Sequence, residues 1–191
     1  MKLCFCTVSI FILVWVYITP ICACGEKPVK LYKEESSIAL GEGSLDVRGT
    51  YFFENRTDFE LDVAIFCPIH TDDAQPFPGK VTLLDPRDPV PFEKEEQGIQ
   101  WSQHFEPSGI ETVLVSFVQA IEQNRATYIL KRKVWGEKID KFSIIITAPL
   151  SYANISISIE PDSLRSDEHK QYYYITKRYF EAKQDLVITW E

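Results

Sequence analysis

The sequence predicts an all-β protein: an antiparallel β-sandwich in a single domain, behind an N-terminal signal helix. Three observations carry that expectation. Apolar side chains alternate with polar ones at a period of two in segment after segment. Turn-forming residues separate those segments at intervals of about 10 to 15 residues, the rhythm of a sandwich. Beyond the first thirty residues no stretch holds a capped helical period, apart from a turn or two that 118–124 could form. At 191 residues, 45% hydrophobic and 13% aromatic, the chain has the length and apolar material for one core.

The elements follow in order. Met1-Lys2 is a short positive start, and Leu3 to Tyr17 is a nearly unbroken apolar run closed by Pro20. Such a run is shorter than the roughly 20 residues a spanning helix needs, so residues 1–23 read as a signal peptide. Residues 24–36 are charged, contain Pro28, and read as a tether; 37–191 read as the β-sandwich domain. Leu45, Val47, Gly49, Tyr51 and Phe53 share one parity, Asn55-Arg56-Thr57-Asp58 supplies a turn, and Leu61, Val63, Ile65 and Cys67 resume the alternation. The pair is expected to form an antiparallel hairpin with Tyr51, Phe53, Val63 and Ile65 toward the core.

Seven of the 11 prolines fall between Pro68 and Pro107. Proline removes a ladder donor, so this stretch reads as an irregular excursion with short edge strands at Val81 to Leu84 and Ile99 to Gln103. A surface excursion on a rigid sheet is a natural place for a binding site. Strand patterns return at Thr112 to Gln119, Thr127 to Val134, Phe142 to Thr147, Asn154 to Ile159, Gln171 to Tyr179 and Asp185 to Trp190. In the last, Leu186, Ile188 and Trp190 are expected on the buried face.

Ile21-Cys22-Ala23-Cys24 resembles a bacterial lipobox, an aliphatic residue three places before a cysteine with small residues between. The resemblance implies lipid attachment at Cys24 and a membrane partner reached through acyl chains; ordinary cleavage after Ala23 is the alternative. Tyr51-Phe52-Phe53-Glu54-Asn55, Trp135, Ile144-Ile145-Ile146 and the terminal Asp185-Leu186-Val187-Ile188-Thr189-Trp190 together resemble a group of exported bacterial envelope β-domains with no assigned function. That likeness implies a fold and a compartment, periplasmic or cell-surface, and carries over no site residue.

Composition excludes several classes. The net charge is -8, and loss of residues 1–23 removes only Lys2 among charged residues and leaves -9. A nucleic-acid partner needs a basic stripe, and Lys131-Arg132-Lys133 is the longest cluster. Four of the five cysteines lie before Gly25, so no disulfide framework is present, and Cys67 ends a strand at inward parity as a small hydrophobe. A Cys24 to Cys67 disulfide is open only if Cys24 is not acylated.

His70, His104 and His169 are far apart in the chain and fit no metal or catalytic spacing. The His70, Asp72, Asp73 grouping is the nearest to an acid-base or metal cluster, and loop chemistry explains it more simply. Glu93-Lys94-Glu95-Glu96 lacks the spacing of a calcium loop and reads as a solvated turn. Gly41-Glu42-Gly43-Ser44 reads as a turn before a strand, not a serine-nucleophile elbow. Tyr172-Tyr173-Tyr174 with Tyr179 and Phe180 could offer a glycan or peptide platform, although strand parity must send some rings inward. The sequons at Asn55 and Asn154 matter only in a eukaryotic secretory pathway.

The expectation is therefore a non-catalytic exported envelope protein that binds or scaffolds an envelope protein or glycan, with no catalytic residue, cofactor or metal ligand assigned. The alternative is an extracytoplasmic hydrolase with its site in 68–107. A concave pocket gathering His70, His104 and carboxylates would favour the enzyme.

Overall fold

The computed structural model describes residues 27–130 and 138–191, and within them the protein is all-β. The strands are β1 Val29–Gly41, β2 Ser44–Asn55, β3 Leu61–Pro68, β4 Val81–Asp85, β5 Asp88–Pro89, β6 Glu93–Glu95 and β7 Gly98–Phe105. They continue as β8 Ile110–Ala120, β9 Arg125–Tyr128, β10 Ile139–Pro149, β11 Ser156–Ile157, β12 Ser163–Ser166, β13 Lys170–Phe180 and β14 Leu186–Thr189. An eight-stranded sheet runs β12-β13-β10-β1-β2-β8-β4-β5. Two three-stranded sheets, β11-β14-β9 and β3-β7-β6, contribute their inward side chains to the same core. Pairing is antiparallel except between β1 and β10, which run parallel at the centre of the large sheet.

The alternation read from the sequence places the core. Leu45, Val47, Tyr51 and Phe53 of β2, Val113 and Val115 of β8, and Phe142, Ile144 and Ile146 of β10 are buried on one face of the large sheet. Ile65 and Cys67, with Ile99, Trp101 and Phe105, pack inward from one small sheet; Ala126, Tyr128, Leu186, Ile188 and Trp190 do so from the other strands and the chain end. The expected burial of Leu186, Ile188 and Trp190 holds, and the Trp190 ring stacks on Tyr152 at 5.2 Å.

Several expectations need correction. β2 and β3 do not form a hairpin: β2 pairs with β1 and β8, whereas β3 pairs with β7 in another sheet. A shared parity fits two strands facing across a core as well as two strands side by side, so Tyr51, Phe53 and Ile65 are buried and Val63 is half-buried all the same. The turn residues make a corner between sheets. Asn55 is buried there: its Oδ1 accepts from the Thr57 N–H and hydroxyl, and its Nδ2 donates to the carbonyls of Phe59 and Glu106.

The tether expected at 24–36 is, from Val29 onward, part of β1, paired on both sides. A register shift between Leu31 and Lys33 breaks the two-residue period, and the inward positions after it are Glu34 and Ser36, which hid the strand. Ile99 to Gln103 lies in β7, the middle strand of its sheet and not an edge. Residues 118–124 form no helix: β8 runs to Ala120 and a bend follows. The strand expected over Thr127 to Val134 is β9, ending at Tyr128; 131–134, and with them Trp135, lie outside the described residues. So do the signal segment and Cys24.

Candidate functional site

The excursion after β3 is built around two glutamines. Ile69 to Pro76 leaves the small sheet and crosses to the end of β8, where the Gln119 side-chain amide donates to the carbonyls of His70 and Pro76 at 2.6 and 2.9 Å. Its oxygen accepts from Gln75 Nε2 at 2.9 Å. Gln75 Nε2 also donates to the Thr127 carbonyl at 3.0 Å, and Gln75 Oε1 accepts from the Thr127 N–H at 2.9 Å. A buried amide side chain thus pairs with a backbone residue as a strand would. Buried polar groups require such partners, and here nearly every one is filled from within the protein.

Between this loop and the start of β9 lies a cleft of about 270 Å³, lined by Asp72, Asp73, Ala74, Gln75, Gln123, Arg125 and Thr127. Asp72 is committed to the loop: Oδ1 accepts from the N–H groups of Ala74 and Gln75, and Oδ2 meets His70 Nε2 at 2.9 Å. The His70 hydrogen bond, followed by the backbone donors, holds the Asp72 carboxyl below its ordinary value. Among the described residues neither Asp73 nor Arg125 is in an ion pair, and both line the cleft. Beside the loop-bound Asp72, a second carboxylate and one cation therefore line the same small space.

The three histidines do not come together. His70 follows β3, whereas His104 sits on β7 opposite Asp62 at the start of β3, its Nδ1 3.0 Å from Asp62 Oδ1. The Asp62 hydrogen bond raises the His104 pKa, with Glu106 and Glu60 adding attraction. The ladder from Asp62 to Pro68 separates the two histidines by about 20 Å at strand rise. His169 is exposed in the turn before β13, where its N–H and that of Lys170 donate to Asp167 Oδ1. Those donors, with the Tyr172 hydroxyl, lower the Asp167 pKa to about 2.

The remaining candidates resolve simply. Glu93 to Glu95 form exposed β6, and Lys94 lies over the Phe77 ring. Among the described residues no group of three histidine, cysteine or acidic side chains could hold a metal. Gly41-Glu42-Gly43-Ser44 is the β1–β2 turn, with Gly43 at φ 62°. Of the tyrosines, Tyr173 packs against the core, Tyr172 and Tyr174 are half-exposed, and Tyr179 is exposed. A second cleft, about 320 Å³, lies against the β3-β7-β6 sheet beside Phe92, Glu93, Gln100 and Ser102.

Sequence reasoning missed a polar cluster in the core. Glu34 is fully buried, and one of its oxygens accepts from the Tyr128 hydroxyl at 2.8 Å and the Ser36 hydroxyl at 3.0 Å. Tyr128 also meets the Tyr51 hydroxyl at 2.9 Å. Gly49 makes room for this arrangement, because a Cβ there would strike the Tyr51 ring.

No protein-family model matches the chain, and no curated protein matches it. Solved structures do. A candidate nutrient binding protein from Legionella pneumophila is similar with a TM-score of 0.59 and 15% identity, over 84% of this chain and 66% of that one. The M1 zinc metallopeptidase from Deinococcus radiodurans is similar with a TM-score of 0.57 and 10% identity, over 86% of this chain and 43% of that one. A two-domain M1 zinc metallopeptidase variant with bound L-tryptophan gives 0.55 at 10% identity with the same coverage. The chain thus spans less than two thirds of each, and at these identities the likeness shows a shared β-rich fold alone.

Proposed function

We propose that this chain is the folded body of an exported envelope protein, held to the membrane through Cys24, that binds a small ligand without chemically transforming it. The observation that carries the binding reading is the cleft beside the glutamine-pinned loop, where Arg125 and Asp73 face a common space with Gln123 and Thr127. A cation and an anion on a rigid frame suit a small zwitterion, such as an amino acid or a peptide end: guanidinium to carboxylate, carboxylate to ammonium. The volume, just below the usual range for drug-sized ligands, suits a small one. His70 does meet Asp72 beside the cleft, but Asp72 is also held by the backbone of its own loop, and the separation of His70 from His104 favours binding over hydrolysis. The fold shared with a candidate nutrient binding protein is consistent with this reading.

Calorimetric titration with amino acids and short peptides tests it. Saturable heat that is lost in Arg125→Ala and in Asp73→Asn, and retained when His70, His104 and His169 are all replaced by Ala, is the expected result. Hydrolysis of a peptide, ester or glycan that disappears in the folded histidine variant would establish the enzyme instead.

A further inference from the structure

The outer face of the large sheet carries cations where strand pairing disfavours them. Register places Arg178 of β13 opposite Lys141 of β10, and Lys141 opposite Lys33 of β1, so three positive side chains form one row across three neighbouring strands. Like charges directly opposite on adjacent strands repel, and an acidic chain of net charge -8 has no general need of them. Lys33 is balanced by Glu35 at 3.0 Å and lies over the Phe52 ring. Lys141 and Arg178 are exposed, and neither is in an ion pair among the described residues.

Beside this row the backbone is strained. Tyr179 follows Arg178 with φ 52°, a left-handed conformation uncommon for an aromatic residue. Within β13, Phe180 stacks on Phe142 at 4.2 Å and the Tyr179 ring is 72% exposed. A tyrosine with a wet tip and an apolar ring, next in the chain to a long cationic side chain, is the composition favoured where protein meets the headgroup layer of a membrane. The row also lies at the beginning of β1: Lys33 is four residues after Val29, and the apolar run Leu3 to Tyr17 precedes that strand in the chain.

We propose that the Arg178–Lys141–Lys33 row, with Tyr179, docks on an anionic lipid surface and so lays this end of the sheet against the membrane. The proposal rests on the reading that the chain reaches a membrane, and it adds an electrostatic contact to whatever holds the N-terminus there. One lipid chain alone gives marginal binding, and basic residues beside it make attachment stable.

Partition of the full chain onto phosphatidylcholine vesicles, with and without a phosphatidylglycerol fraction, separates the two contributions. An acyl or apolar anchor binds both kinds of vesicle, whereas the cationic row raises only binding to the anionic kind. Each cation near an anionic surface contributes about five-fold, so Lys141→Gln with Arg178→Gln should lower the anionic-to-neutral ratio by about 25-fold. High salt should lower it similarly by screening. Glu35→Gln, which releases Lys33 from its partner, should raise the ratio by about five-fold, a gain that misfolding cannot produce. A wild-type ratio of one, or a ratio indifferent to these substitutions, overturns the proposal. Loss of binding to neutral vesicles in Cys24→Ser reports on the anchor separately.

Discussion

The buried carboxyl of Glu34 should make Tyr128 one of the most sensitive polar positions in the core. Tyr128→Phe keeps the ring and its packing, so no cavity contributes and the effect isolates the hydroxyl. That hydroxyl donates to Glu34 at 2.8 Å and meets the Tyr51 hydroxyl at 2.9 Å. Depriving the buried Glu34 oxygen of this donor costs about 1–3 kcal/mol, and loss of the contact to Tyr51 about 1 kcal/mol. Together the loss should be about 2–4 kcal/mol. Tyr51→Phe, which removes only the neutral contact among these two, should cost about 1 kcal/mol. Urea unfolding followed by tryptophan fluorescence measures both; with a slope of about 2 kcal/mol/M, Tyr128→Phe should lower the midpoint by about 1–2 M at unchanged slope. Equal costs for the two variants, or a midpoint that does not move, would refute the claim that Glu34 depends on Tyr128.

Three further outcomes follow from geometry already described. Truncation after Gln184 removes Leu186, Ile188 and the Trp190 ring stacked on Tyr152, and the chain should lose its cooperative thermal transition in calorimetry. Gly49→Ala should destabilise by driving the Tyr51 ring from its place, seen as a lowered melting temperature that Tyr51→Phe does not restore, because the ring itself obstructs. For His104, proton NMR should show a titration midpoint above the ordinary value of 6.5 that falls back in Asp62→Asn. Because its folded value is raised, the stability it contributes is present below the ordinary histidine value and is lost as pH rises through the folded one.

The strands that turned out legible are those whose inward positions are mostly plain hydrophobes: β2, β8, β10 and β14 declare themselves by alternation. β1 did not, because the register shift at Leu31 and Lys33 interrupts the period and the inward positions Glu34 and Ser36 are polar, bonded to each other and to Tyr128, which lies 92 or more residues away. Parity tells a reader which way a side chain points and is silent on which strand lies alongside, hence the mistaken β2–β3 hairpin. At the cleft, loop chemistry around His70 and Asp72 was readable locally. Gln75 was not, since its partners Gln119 and Thr127 lie 44 and 52 residues on. The same distance hid the cleft that Asp73 and Arg125 both line.

The pairing of Gln75 with Thr127 has a consequence for how this protein coexists with its own copies. β9 is the edge of its small sheet, and an edge strand displays unpaired N–H and C=O groups that can recruit a strand from another molecule. One side-chain amide occupies both groups of Thr127, so the loop caps that edge at a single residue. The far edge of the large sheet, β12, is guarded differently, by its shortness and by Asp162, Arg165 and Asp167 along and beside it. Gln75 is thus a guard against self-association as much as a brace for the cleft, and replacing it by Leu should send the chain toward concentration-dependent aggregates visible in light scattering before any loss of secondary structure.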